Sequence, residues 1–157
     1  MTDLDLSLHL RESLALQAKA MDHLRYSLDG CAALKVSEAL TSRELVPFEA
    51  LASRFVRASD MLFSMVFRAL DSLEFYENGS PLDVLNRADK RGLIEDFETI
   101  LQIRRLRNRI AHEYTVPDFS KLSNDIRALS DSLFEIYHRT QAYAEKFLPS
   151  PGGTGGN

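Results

Sequence analysis

Glycine and proline are nearly absent from the first 147 residues of this sequence and are concentrated in its last nine. Of the seven Gly and five Pro in the chain, four Gly and two Pro lie between Pro149 and Asn157. The body therefore has few points at which a helix must stop, which favours long helices over strands joined by turns. The sequence predicts an all-α protein, an up-and-down bundle of four to five helices over residues 1–147, followed by a disordered Gly/Pro-rich tail over 148–157.

Apolar residues recur through the body at spacings of three, four and seven, as in helices with one buried face. In the central helix this stripe consists of Leu51, Phe55, Leu62, Val66, Leu70 and Leu73. Helix caps are expected at Thr41, at Ser80 before Pro81, at Gly92, and at Asp118 or Ser120. The predicted helices cover residues 4–27, 32–40, 42–76, 81–91, 93–112 and 118–147.

Charge, cysteine content and hydropathy exclude several classes of protein. The chain has 19 Lys and Arg against 23 Asp and Glu, a formal net charge of -4, which argues against a general basic coat for nucleic acid. Its single cysteine, Cys31, excludes an internal disulfide framework and is expected to be a small buried residue. No signal peptide is recognisable, and the most apolar run, 61–67, is far shorter than the roughly 20 residues that cross a bilayer. We expect a cytoplasmic protein without a membrane partner.

One window differs in charge from the rest of the chain. Residues 101–112 contain four arginines and no acid, a local charge of +4, so the other 145 residues carry -8. Arginines near the C-terminal end of a helix also interact favourably with its dipole, and solvated arginine faces are common. A site for an anion is the more specific interpretation, because Asn108, His112, Glu113 and Tyr114 follow within the next turns.

Helix geometry divides this window into two faces. Positions seven apart lie within about 20° of each other around the axis, so Arg107 aligns with Tyr114. Arg107 and His112 are five apart, about 140° around the axis, and one straight helix cannot bring both to one small group. Either the helix loosens before Pro117, or a second copy of the chain contributes to the site.

Residues 107–114 read Arg-Asn-Arg-Ile-Ala-His-Glu-Tyr. They resemble the R-x4-H-x-Y signature of HEPN-domain proteins, in particular the HepT-like toxins that are paired with minimal nucleotidyltransferase antitoxins. The polar Asn108 after the arginine is also similar to the family pattern. The order of elements agrees, with a long apolar helix, a short helix begun by proline, the motif near the end of a helix, and another helix behind it. The resemblance covers most of residues 1–147 in architecture and is specific over 107–114.

This resemblance implies a metal-independent ribonuclease, an RNA endonuclease without a cofactor, that works as a homodimer with two motifs meeting at one cleft. His112 would take the proton of the RNA 2′-hydroxyl, since an imidazole exchanges protons near neutral pH. Arg107 would stabilise the charge that develops on the phosphate, and Asn108 would orient the imidazole or hold a phosphate oxygen. In HepT-like pairs the nucleotidyltransferase antitoxin transfers AMP onto the motif tyrosine, which is Tyr114 here. The neighbouring arginines expected to bind RNA phosphates are Arg104, Arg105 and Arg109.

Other functions stay open on the sequence alone. One is a non-catalytic HEPN module that binds a nucleotide or a partner in a nucleotidyltransferase complex, and another is a plain helical interaction domain. His112 could instead pair with the carbonyls at the helix end, and Tyr114 could cover the end of the bundle.

The remaining charged residues have simpler interpretations. Asp71, Glu74 and Glu77 are expected to form a solvated acidic face or, as the alternative, a docking surface for a basic partner. Lys90 and Arg91 would extend the basic site or cap the short helix. The dimer surface is expected on the first long helix and the helix that carries the motif.

Overall fold

The computed structural model describes residues 1–33, 40–112 and 118–149. Its helices are α1 Asp3–Gly30, α2 Ser42–Met61, α3 Phe67–Leu73, α4 Pro81–Lys90, α5 Phe97–His112 and α6 Phe119–Ala144. A π-helical turn, Leu62–Val66, joins α2 and α3 into one continuous rod, and a 3-10 turn, Glu145–Phe147, follows α6. These described residues form five rods and no strand, which confirms the all-α prediction. None of the helices in the described ranges is long and apolar enough to span a bilayer.

Reciprocal side-chain caps start three of the helices. The hydroxyls of Thr2, Thr41 and Ser80 each accept a backbone N–H three residues on, and the acid at that position accepts from the cap's own N–H. Pro81 follows Ser80 as the first helical residue. At the start of α6 the carboxylate of Asp118 accepts from the backbone N–H of Lys121, so the cap is Asp118. The predicted caps at residues 41, 80 and 118 are therefore confirmed.

Three predicted helix boundaries are wrong. Helix α1 continues to Gly30 and does not end at residue 27. The central rod ends at Leu73 and not near residue 76. The backbone N–H of Phe75 donates to the carbonyl of Ser72, and the N–H of Tyr76 donates to the backbone carbonyl of Asp71. These hydrogen bonds close the end of the helix and place Phe75 at φ 64°. Helix α5 begins at Phe97 and not at residue 93. Leu93 and Ile94 instead pack into the core from an irregular segment, 2% and 5% exposed.

The five rods pack around one apolar core. Helix α1 lies along α2 and α3, α5 packs between α2 and α6, and α4 covers α3 and the π turn. The predicted stripe of the central rod is buried except for the half-buried Leu73. On α5 the buried positions are Ile100, Ile103 and Leu106, and Ile110 packs against the core while partly exposed. Cys31 is 2% exposed, and burial raises the pKa of its thiol, as expected for a structural cysteine.

Two predicted segments fall mainly outside the described residues. Residues 34–39 of the short helix expected over 32–40 are outside the described residues. So are residues 150–157 of the Gly/Pro-rich tail. Leu148 is half-buried against the core, and the carbonyl of Pro149 accepts a hydrogen bond from Arg11 at 3.4 Å.

The prediction of a solvated acidic face over residues 71–77 is wrong for its first two acids. Asp71 is 4% exposed, and its two carboxylate oxygens accept from Arg91 at 2.6 Å and from Arg87 at 3.0 Å. Glu74 accepts from Arg91 at 2.9 Å and from the Tyr143 hydroxyl. These five residues form an ion cluster that ties α3 to α4 and α6. Tertiary packing brings the basic residues of α4 against the acids, which sequence spacing does not reveal.

The guanidinium of Arg91 is the most buried charge of this ion cluster, with its side chain 4% exposed. Burial lowers its pKa, but the hydrogen bonds that Arg91 donates to Asp71 and Glu74, together with the negative charges of these acids, outweigh that effect and raise the pKa above its ordinary value. Arg91 is therefore part of the interior and does not extend a basic surface, whereas the neighbouring Lys90 is exposed.

Candidate functional site

The signature residues within the described ranges lie on the last two turns of α5. Arg107 is partly buried, with 27% of its side chain exposed, while Asn108 and His112 are exposed. Tyr114, the expected modification site, lies outside the described residues, as does Glu113. His112 is the last described residue of α5, and the rest of the motif, residues 113–114, is not described.

Arg107 is held by an aspartate from the central rod. Its Nε donates to Asp60 Oδ1 at 2.7 Å and its Nη2 to Asp60 Oδ2 at 2.8 Å, a two-pronged pair. These hydrogen bonds raise the pKa of Arg107 above its ordinary value. The remaining nitrogen, Nη1, lies 3.4 Å from Asn108 Oδ1, to which it donates a long hydrogen bond. The plane of the guanidinium is thus fixed by α2, next to the Asn108 amide.

Arg107 and Asn108 line a cleft of about 230 Å³ between the central rod, α4 and α5. Apolar atoms of Phe63, Pro81 and Leu85 contribute to its walls. We call it the arginine cleft, because three of its polar lining residues are arginines. The polar lining residues are Asp60, Ser64, Arg68, Arg104, Arg107 and Asn108. Three arginines and one aspartate give this lining a net charge of +2.

The π turn forms the wall of the arginine cleft opposite α5. Its hydrogen bond from the N–H of Phe67 to the carbonyl of Leu62 spans five residues instead of four. Phe63 and Ser64 of this turn both line the cleft. Single π turns within α-helices are frequent at functional sites, which makes this wall a reasonable place for a ligand.

The arginines of the window do not form one basic surface. Arg104 lines the arginine cleft, but Arg105 pairs with Glu98 at 2.7 Å and Arg109 pairs with Asp125 at 3.0 Å. Including the pair between Arg107 and Asp60, three of the four arginines have a carboxylate partner. The local +4 of the sequence is therefore offset in space by acids that were counted with the rest of the chain.

His112 is not among the residues that line the arginine cleft. It follows Arg107 by five helical positions, which corresponds to about 140° of rotation and about 7.5 Å along the axis. Because α5 continues as a helix through His112, the structure does not loosen this segment enough to remove that separation. Within one chain, the arginine and the histidine of the signature face different sides of α5.

Asp60, Ser64 and Arg68 also line the arginine cleft, although no role was predicted for them from the sequence. The signal was present, since these three polar residues recur at four-residue spacing around and within the most apolar run of the chain. Such spacing places them on one face of a helix. What the spacing did not reveal is which element that face meets.

The other cavities differ from the arginine cleft in charge. A larger cavity of about 480 Å³, lined mainly by apolar residues of α2, α5 and α6, contains one acid, Glu49, and one base, Arg109. Among the described residues, no three His, Cys, Asp or Glu side chains are close enough to form a metal site.

No protein-family model matches the chain, and no curated protein matches it.

Proposed function

We propose that this protein is a metal-independent endoribonuclease of the HepT type, the toxin of a toxin–antitoxin pair. The observation that carries the proposal is the placement of Arg107 and Asn108, the first two residues of the signature, in a cleft of net charge +2. An RNA phosphate is an anion with oxygens that match a planar guanidinium.

The proposed reaction is attack of an RNA 2′-hydroxyl on the adjacent phosphorus. The imidazole of His112 accepts the 2′ proton, the 2′-oxygen bonds to phosphorus, and the bond to the 5′-oxygen breaks as that oxygen receives a proton from an imidazolium. The products are a 2′,3′-cyclic phosphate and a 5′-hydroxyl. Arg107 stabilises the charge that develops on the phosphate oxygens, with its plane held by Asp60. No metal is required in this scheme.

A homodimer completes the proposed site. Since Arg107 and His112 face different sides of α5, the histidine that serves one arginine comes from a second copy of the chain. We place the dimer surface on α1 and α5. Three leucines of α1, Leu4, Leu8 and Leu16, are 41–62% exposed in the single chain, which supports a further contact there.

The proposed antitoxin is a minimal nucleotidyltransferase that transfers AMP to Tyr114. The phenol releases its proton to solvent, its oxygen bonds to the α-phosphorus of ATP, and the bond from that phosphorus to the bridging oxygen breaks, so that pyrophosphate leaves. The added phosphate places a negative charge next to the signature, where it would occupy the arginines and exclude RNA. Mass spectrometry of the chain after co-expression with its neighbouring nucleotidyltransferase should show AMP additions on Tyr114. An unmodified Tyr114 in an active pair would remove this form of control.

One observation favours a second candidate, a non-catalytic HEPN module that binds a nucleotide or a partner. Two nitrogens of Arg107 already donate to Asp60, so only part of the guanidinium is available to a phosphate. A module of this kind would bind nucleotide or partner without cleaving RNA.

Incubation of purified protein with RNA, with and without EDTA, separates these candidates. For the ribonuclease we expect cyclic-phosphate products in both conditions, a loss of about 10²- to 10³-fold in rate for Arg107→Ala and about 10²- to 10⁴-fold for His112→Ala. Arg57→Ala, which removes an exposed arginine of α2 outside the cleft, should retain the wild-type rate. Cleavage that requires a metal, or that survives both motif substitutions, contradicts the proposal.

A further inference from the structure

Two arginines of the arginine cleft carry a charge that no carboxylate offsets among the described residues. Arg104 has no ion pair with any of them, unlike Arg105, Arg107 and Arg109 of the same helix. Arg68, on α3, donates only two long hydrogen bonds, at 3.4 and 3.5 Å, to the carbonyl of Gly79. The net charge of the cleft therefore comes from Arg68 and Arg104, whereas the charge of Arg107 is matched by Asp60.

The position of Arg68 is set by the loop before α4. A Cβ on Gly79 would lie 2.9 Å from Asp83 Cβ and 3.2 Å from Arg87 Nη2, so only glycine lets the loop pass this close to α4. This close passage brings the Gly79 carbonyl to the Arg68 guanidinium. A neutral carbonyl orients the side chain but leaves its full positive charge available to a ligand.

We propose that Arg68 and Arg104 bind a second, non-scissile phosphate of the RNA substrate, with the Ser64 hydroxyl as a further donor. This inference rests on the proposed ribonuclease function, since it places the neighbouring scissile phosphate at Arg107. Arg68 lies outside the HEPN-like signature and some forty residues before it in the chain. It joins the site because the central rod packs against α5.

The size and the charge of the cleft fit this ligand. A liquid water occupies about 30 Å³, so a cleft of about 230 Å³ has room for a phosphate group and not only for one ordered water. Three other cavities lack its charge. The two that contain Arg109 each balance it with one acid, and a third has three acids and only Arg139, a net charge of -2.

Binding of a short 2′-O-methyl oligouridylate tests the inference without cleavage, because this RNA has no free 2′-hydroxyl. Fluorescence anisotropy over a range of salt concentrations would compare wild type with Arg68→Gln, Arg104→Gln and the control Arg57→Gln. We expect each cleft variant to raise Kd by about tenfold and to reduce the slope of log K against log salt by about 0.7, one phosphate contact on a single strand. The control should stay within about twofold of wild type. Arg68→Lys, which keeps the charge, should recover most of the affinity and guards against a folding defect in Arg68→Gln.

The outcomes separate this inference from the proposed function. Wild type that cleaves RNA, combined with cleft variants that bind like wild type or no worse than Arg57→Gln, overturns the phosphate site and leaves the ribonuclease in place. Wild type that fails to cleave RNA, but binds it through Arg68 and Arg104, overturns the ribonuclease and retains the phosphate site. Wild type without measurable affinity for the oligonucleotide overturns the inference.

Discussion

Substituting Asp71 by Asn in the ion cluster should destabilise the fold severely. Asp71 is 4% exposed and contacts two arginines, and the Arg91 side chain that it neutralises is also only 4% exposed. The amide keeps the shape but removes the charge, and it turns an N–H group toward the guanidinium donors. Glu74 would be the one carboxylate left to pair with Arg91 among the described residues. The buried Nη1 of Arg91, which has no hydrogen-bond partner among these residues, would not gain an acceptor. Removing one member of a buried pair costs about 3–5 kcal/mol.

That cost is a large part of the total stability of a domain, which is about 5–15 kcal/mol. At about 2–4 °C per kcal/mol for a chain of this size, Asp71→Asn should lower Tm by about 6–20 °C. Urea and thermal unfolding followed by circular dichroism measure the effect. Glu98→Gln breaks an ion pair whose side chains are 52% and 65% exposed, and it should cost less than about 1 kcal/mol. If the two variants lose similar stability, or if Asp71→Asn loses less than about 1 kcal/mol, the buried ion cluster does not stabilise the fold to the predicted extent.

Two further predictions concern helix ends. Phe75→Gly should raise Tm, because Phe75 holds φ 64° at a position that suits glycine. The side chain is 82% exposed, so relief of about 1 kcal/mol of backbone strain outweighs the small loss of burial. A lower Tm in thermal unfolding would contradict this prediction. The capping hydrogen bonds from Ser80 lower the pKa of Asp83 below its ordinary value of 3.8. A carboxylate whose pKa is lowered by folding stabilises the fold at pH values above its pKa in the unfolded chain. This stabilisation is lost as the pH falls through its pKa in the folded protein. The difference in unfolding free energy between wild type and Ser80→Ala, measured by urea unfolding at a series of pH values, should therefore shrink below about pH 4; a difference independent of pH would refute the role of the carboxylate.

The sequence predicted those parts of the fold that depend on local chemistry. Ser80, Pro81 and Gly92 delimit α4 as expected, since capping and a left-handed glycine at φ 77° require only neighbouring residues. The start of α5 was predicted four residues too early. Leu93 and Ile94 have the apolar character of a helix stripe, but their burial is achieved by an irregular segment that docks in the core.

The candidate site was predicted in part. The positions of Arg107, Asn108 and His112 on one helix follow from the sequence, and so does the angle between the arginine and the histidine. The π turn was not predicted, because a helix that spans five residues in one hydrogen bond has no distinct apolar repeat over so short a segment. Asp60 and Arg68 were visible as polar residues in an apolar helix, without any indication of their partners.

Most of the helices, many of their buried positions and the location of the signature follow from the order of the amino acids, because caps and apolar spacing act between residues close in the chain. Which charges remain available depends instead on how the helices pack. Asp60 and Arg107 are 47 residues apart in sequence, yet their atoms lie 2.7 Å apart. Coulomb energy depends on distance in space and on burial, not on separation along the chain. For this reason three of the four arginines in the run form ion pairs once the helices pack. Among the described residues, the unpaired charge of the arginine cleft is carried by Arg104 and by Arg68, which lies on another helix.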